Sequence, residues 1–222
     1  MAPFIVSIHF VYLKRKPMKS IICALSLFLC CFTSIANEKT VLVTLETTLG
    51  NIELELYPEK APLSVNSFIR YVESGNYNKG KFTRVVHDNN QDHMTVKIHV
   101  IQGGTENPEE LIFPAIAHET TQQTGLKHLR GTISLGRLAP GTASSEFFIC
   151  NEDEPSLDFG GLRNPDGQGF AAFGTVLKGM DVADKILLGK VIPAPKNPAE
   201  MEYTSGQILQ NPVVITKAYV TN

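Results

Sequence analysis

From residue 41 onward the chain alternates. Val41, Val43 and Leu45 are separated by polar or different-sized residues, and after Leu49-Gly50 the apolar Ile52, Leu54 and Leu56 alternate with Asn51, Glu53 and Glu55. A period of two with one apolar side marks half-buried strands, so this segment predicts a two-strand hairpin. The period then lengthens. Val65, Phe68, Ile69 and Val72 fall at helical spacing, with Pro62 at the first turn and Gly75 at the end. That predicts a helix of about three turns with one apolar stripe. Over residues 81–176 the apolar runs are short and glycines punctuate them: Gly103-Gly104, Gly131, Gly136, Gly160-Gly161 and Gly174. Many short strands with glycine turns predict a closed barrel or a sandwich. A second short helix fits residues 181–188, stopped by Gly189. A last strand fits 213–220, placed to close a barrel against the first. The proline-rich run from Pro193 to Pro198 reads as a surface connection. No internal repeat interrupts what reads as one domain.

Composition adds a leader. Lys14, Arg15, Lys16 and Lys19 precede an apolar run over residues 21–32, and Ser34-Ile35-Ala36 supplies small residues. Basic region, apolar region and small-residue site in that order predict a secretory signal peptide, residues 1–36, cleaved after Ala36, with Met18 an alternative start. The apolar run is short for a membrane span, so no stable membrane anchor is expected. Cleavage removes four of the 20 basic residues and none of the 22 acidic ones, leaving 16 against 22, a net −6. A mildly acidic domain has no general attraction for nucleic acid. Cys23, Cys30 and Cys31 leave with the leader, so Cys150 remains alone and reads as a packed core thiol.

Three segments carry candidate chemistry: Phe82-Thr83-Arg84-Val85, Val100-Ile101-Gln102-Gly103-Gly104 and Ser145-Glu146-Phe147-Phe148-Ile149-Cys150. Arg84 offers several fixed donors and keeps its charge at any working pH. In a regular strand it shares a face with Phe82 while Thr83 faces away. Gln102 can both donate and accept. Phe147 and Phe148 face opposite sides of their strand, so one is expected in the core and the other at the surface, as the floor of an apolar pocket.

These segments resemble the core signature of the cyclophilin-type peptidyl-prolyl isomerases, and the resemblance extends from about residue 41 to 220. It implies an eight-stranded antiparallel closed β-barrel capped by two α-helices, needing no cofactor and no metal. It implies Arg84 as the catalytic arginine and Gln102 as the backbone-holding glutamine. Phe148, Val100, Leu157 and Phe170 would form the pocket, with His99 where the family has another aromatic. Gly136, Arg137 and Leu138 would pair with the substrate backbone, and Glu146 stands where glutamine is usual. The implied substrates are X-Pro bonds in unfolded or nascent polypeptides, handled by a monomer outside the cytoplasm.

Two features depart from the family. The stretch 85–101, which separates Arg84 from Gln102, is longer than usual and contains His87, Asp88, Asp92 and His93. Its ligand types would suit zinc, but their spacing within one polar loop is a weak signal, and a solvated loop is the preferred reading. Glu146, when ionised, only accepts hydrogen bonds, whereas glutamine also donates. Both departures keep a second reading open, a proline-binding module or chaperone without turnover. Asp153, Glu154 and Asp158 read as loop charges.

Overall fold

The computed structural model of the chain describes residues 39–92, 94–107, 110–197 and 202–221. The expected leader, His93 and Pro198 lie outside the described residues. Eight strands form a closed barrel: β1 (Val41–Thr47), β2 (Gly50–Leu56), β3 (Lys81–Val86), β4 (Val100–Gly104), β5 (Thr132–Leu135), β6 (Phe147–Cys150), β7 (Ala171–Lys178) and β8 (Ile208–Thr221). They run in the order β1-β2-β7-β5-β6-β4-β3-β8, and every pairing is antiparallel. The expected hairpin is present, with Val43 opposite Leu54 and Leu45 opposite Ile52. The terminal strand closes the barrel on β1, as its position suggested, but it starts at Ile208 and pairs with β3 as well.

Among the described residues three α-helices accompany the strands: α1 (Pro62–Glu73), the single turn α2 (Thr121–Thr124) and α3 (Met180–Leu187). Pro62 occupies the first turn of α1, where a missing N–H costs nothing. Its free amides are capped from a distance: Leu63 and Ser64 donate to the Glu119 carboxylate at 3.0 and 2.7 Å. The stripe Val65, Phe68 and Val72 is buried, and Phe68 meets Phe147 edge-on inside the barrel, with ring centroids 5.4 Å apart. α1 packs on β7 and β8; α3 lies against β2, β3 and β4 through Val182, Ala183 and Ile186.

The period-two alternation of β4 and β6 builds two apolar clusters. Ile101, Phe147 and Ile149 point into the main core. Val100, Phe148 and Cys150 point outward and join Val86, Ile98 and Leu157 in a second, smaller cluster. Close approach of β3 and β4 depends on Gly103, where a Cβ would stand 2.9 Å from the Phe82 ring.

Candidate active site

The outer cluster floors a cleft of about 360 Å³, within the range of roughly 300–1,000 Å³ common for ligand sites. Arg84, Gln102, Val100, Gly136, Arg137, Leu138, Glu146, Phe148, Leu157 and Phe170 all line it. Ten of the eleven residues expected from the sequence are therefore brought together.

His99 is the exception. It precedes β4 and, being adjacent to Val100, faces the other way. Its Nδ1 lies 3.2 Å from Glu154 Oε1, its Nε2 3.5 Å from Asp88, and its backbone N–H donates to Glu154 at 2.6 Å. It ties the 87–99 connection to the loop after β6 rather than lining the cleft. Burial raises the Glu154 carboxyl's pKa, against the opposing bonds from His99.

Arg84 reaches the cleft by a route that simple alternation misses. The register of β3 shifts between Phe82 and Arg84, so Phe82 faces Gly103, Arg84 faces Gln102, and Thr83 is an extra residue. This β-bulge turns Arg84 over: Phe82 is fully buried in the main core, whereas Arg84 and Thr83 line the cleft. The expected shared face of Phe82 and Arg84 is thus corrected. Three bonds fix the guanidinium. Nη1 donates to Gln102 Oε1 at 2.7 Å, while Nε and Nη2 donate to Gln207 Oε1 at 2.8 and 2.6 Å. Burial lowers the Arg84 pKa; Tyr203 and Glu146 nearby counter it, and a guanidinium stays charged at working pH.

The pocket floor is better covered than a surface phenylalanine would be. Phe148 is 5% exposed; Phe170 meets it edge-on at 5.3 Å, and the His128 ring stacks on it at 5.9 Å. His128 is locked in turn, with Nδ1 2.9 Å from Asp158 Oδ1 and Nε2 3.0 Å from Ser134 Oγ. Serine, histidine and aspartate stand here in triad order, but all three are buried beneath Phe148, so they brace the floor instead of presenting a nucleophile. Glu154 and Asp158 are therefore buried partners, not loop charges. Cys150 is also buried, and burial pushes its thiol well above the ordinary range.

Arg137 props the opposite wall. Its guanidinium pairs with Asp166 at 2.7 and 3.0 Å, donates to the Gly169 carbonyl at 2.9 Å, and lies 5.2 Å from the Phe170 ring centroid. The Arg137 bonds hold the Asp166 carboxyl down to about 2. With its side chain so committed, Arg137 offers the cleft its backbone.

Several lining or bracing residues escaped the sequence reading, among them Gln207, Tyr203, Arg163 and His128. All lie outside the three motifs, and Gln207 and Tyr203 come from the stretch between the proline-rich connection and the last expected strand, to which the sequence assigned no element. The long 85–101 stretch is likewise partly internal. Gln91 is fully buried, donates to Ile98 O at 2.7 Å and accepts from Arg163 at 3.0 Å. His87 accepts from Asn89 N–H at 3.3 Å and Asp92 lies 3.7 Å from Lys97, so their partners are local. Among the described residues, no group of three or more His, Cys, Asp or Glu is arranged to hold a metal ion.

The sequence profile of the family described as cyclophilin type peptidyl-prolyl cis-trans isomerase/CLD matches residues 42–218. Peptidyl-prolyl cis-trans isomerase A of Dickeya dadantii is 40% identical over 148 residues, 65% of this chain and 70% of that protein. Peptidyl-prolyl cis-trans isomerase B of Escherichia coli is 35% identical over 149 residues, 65% of this chain and 83% of that protein. A crystal structure of a cyclophilin type isomerase from Cryptosporidium parvum, determined in the presence of the dipeptide ala-pro, superposes with a TM-score of 0.60. It is 20% identical and covers 82% of this chain and 99% of its own.

Proposed function

The chain belongs to the cyclophilin-type peptidyl-prolyl cis-trans isomerases and has their activity, and from that premise we propose how its cleft works and where. The X-Pro bond turns slowly because amide conjugation must be broken, a barrier of roughly 18–20 kcal/mol. In the twisted state the proline nitrogen becomes pyramidal and can accept a hydrogen bond. A donor placed there binds the transition state better than either planar form. Arg84 is that donor. Phe148, Val100, Leu157 and Phe170 enclose the proline ring, Gln102 holds the flanking backbone, and the main chain at 136–138 supplies an edge for it. Each 1.4 kcal/mol of differential binding is worth about tenfold in rate.

The observation that carries this reading is the fixing of Arg84 by three N–H···O bonds at the rim of an apolar pocket. Glu146 lines the same cleft and favours the charged arginine, which suits a donor held ready. Titration of an Ala-Pro peptide into the labelled protein tests the cleft. Amide shifts should cluster at residues 100–103, 136–138 and 146–148; shifts elsewhere would refute the placement.

The protein would act as a monomer, since one chain supplies every residue of the cleft. Its substrates would be proline-containing unfolded or nascent polypeptides outside the cytoplasm, in the periplasm, after removal of residues 1–36 as a leader from the domain 37–222. The order of basic, apolar and small residues in that leader supports export, and the Dickeya dadantii and Escherichia coli relatives are bacterial. Among the described residues no helix is long and apolar enough to cross a membrane. N-terminal sequencing of the exported protein should begin at Asn37; an intact Met1 or Met18 start would refute cleavage.

A further inference from the structure

The cleft contains a cation that the isomerisation scheme does not use. Arg163 lines the cleft, yet the residue is 5% exposed. Its Nη1 donates to Gln91 Oε1 at 3.0 Å and to Val96 O at 2.5 Å, both from the 87–99 connection. Its Nε and Nη2 are buried and make no well-formed hydrogen bond, although the Tyr203 phenol interacts with this guanidinium. The other two arginines of the cleft differ: Arg84 is bonded on both edges by amide oxygens, and Arg137 is paired with Asp166.

Two N–H groups of a buried cation without a well-formed bond leave it under-satisfied, so the arrangement favours a stronger acceptor that arrives from outside. The two open donors are Nε and Nη2, which form one edge of the guanidinium. Parallel donors on one edge match the two oxygens of a carboxylate. Tyr203 stands beside this edge. It is exposed on the solvent side, and its ring centroid is 4.9 Å from the Arg84 guanidinium. Burial alone would raise the pKa of its phenol, but the charges of Arg84 and Arg163, with hydrogen bonding to both, outweigh that and lower it, so an incoming carboxylate would take the place the phenol now holds. A side chain so exposed can swing aside. Glu146 shares the cleft and would repel an acid placed near it, so the favoured position is the Arg163 side.

We propose that Arg163 forms a subsite for a carboxylate of the substrate, an acidic side chain next to the bound proline, which enters beneath Tyr203. This rests on the cleft being the proline site. The test compares kcat/KM on matched tetrapeptides carrying Glu or Gln directly after proline, and on a second pair carrying them directly before it. At low salt the Glu peptide of one pair should be favoured about tenfold, the strength of a charge-assisted bond, and rising salt should erode the preference. Arg163→Met should bring the Glu-to-Gln ratio to unity, while Tyr203→Ala should keep it. The ratio is taken within each variant, so a general loss of activity does not obscure it. If Arg163→Met does not fold, Arg163→Lys, which keeps the charge but loses the fork, should lower the ratio. Equal rates for Glu and Gln in both pairs, or a preference that the Arg163 variants retain, would overturn the subsite. Turnover of Ala-Pro peptides without any acid preference defeats this inference alone; turnover of no peptide defeats the cleft itself.

Discussion

Gln207→Leu removes the hold on Arg84 without removing Arg84. Gln207 is fully buried, accepts from Arg84 Nε and Nη2 at 2.8 and 2.6 Å, and donates to Asn90 O at 3.0 Å. Leucine has similar volume, so the loss is of hydrogen bonds more than of packing. Bonds to a charged group are worth about 1.5–3 kcal/mol each where water cannot replace them. Arg84 is only partly buried and faces the cleft, so water recovers part of that loss. A net destabilisation of about 1–3 kcal/mol is expected, at roughly 2–4 °C of melting temperature per kcal/mol. Catalysis should suffer more. A guanidinium held by Gln102 alone can swing, and a misplacement of about 1 Å can cost on the order of a hundredfold. We expect kcat/KM to fall about ten- to a hundredfold. Gln207→Glu keeps the acceptor for Arg84 but loses the donor to Asn90 O, and should fall between parent and Gln207→Leu. Peptide exchange measured by NMR, with thermal melting alongside, reads both quantities. An unchanged kcat/KM in a folded Gln207→Leu protein would refute the view that Arg84 must be held from both edges.

Other outcomes follow from the same packing. Phe148→Ala removes the pocket floor from the outer cluster; unfolding measurements should show a loss of about 3 kcal/mol, with catalysis falling mainly through a raised KM, and unaltered KM would contradict its role. Burial lowers the pKa of His128 against its bonds to Asp158, so protonation favours the unfolded chain. The stability it protects is full above about pH 6.5 and lost as pH falls below that; melting curves across this window should flatten in His128→Gln, and an unchanged slope would contradict this. Cys150 is buried with its thiol pKa raised well above normal by burial, so thiol reagents should label it only after unfolding; rapid labelling of the native protein would count against the outer cluster.

The barrel was legible because its strands alternate. The hairpin of β1 and β2, the stripe on α1 and the opposite facing of Phe147 and Phe148 follow from periods of two and 3.6, which local sterics impose. Five of the expected site residues converge because the motifs sit on neighbouring strands β3, β4 and β6, and the other five reach the same cleft from the segments after β5 and before β7. What escaped depends on events that periodicity does not encode. The bulge at Thr83 reverses Arg84 relative to Phe82, and only the glycine opposite hinted at an irregularity. Gln207 and Tyr203 come from an irregular connection whose path is set by tertiary contacts, and Arg163 follows a glycine-rich loop with no regular pattern. His99 differs: adjacent to Val100, it could not share that residue's face under simple alternation, and Glu154 holds it on the other side.

The claim at the centre is that Arg84 donates to the twisted proline nitrogen. The most direct test is catalysed cis/trans exchange on an Ala-Pro tetrapeptide by the protein from Asn37 and by its Arg84→Ala variant, with melting curves to show that both are folded. The account predicts fast exchange by the parent and a loss of at least about a hundredfold in the variant, the scale of removing one transition-state donor. A folded Arg84→Ala protein that exchanges as fast as its parent would contradict it.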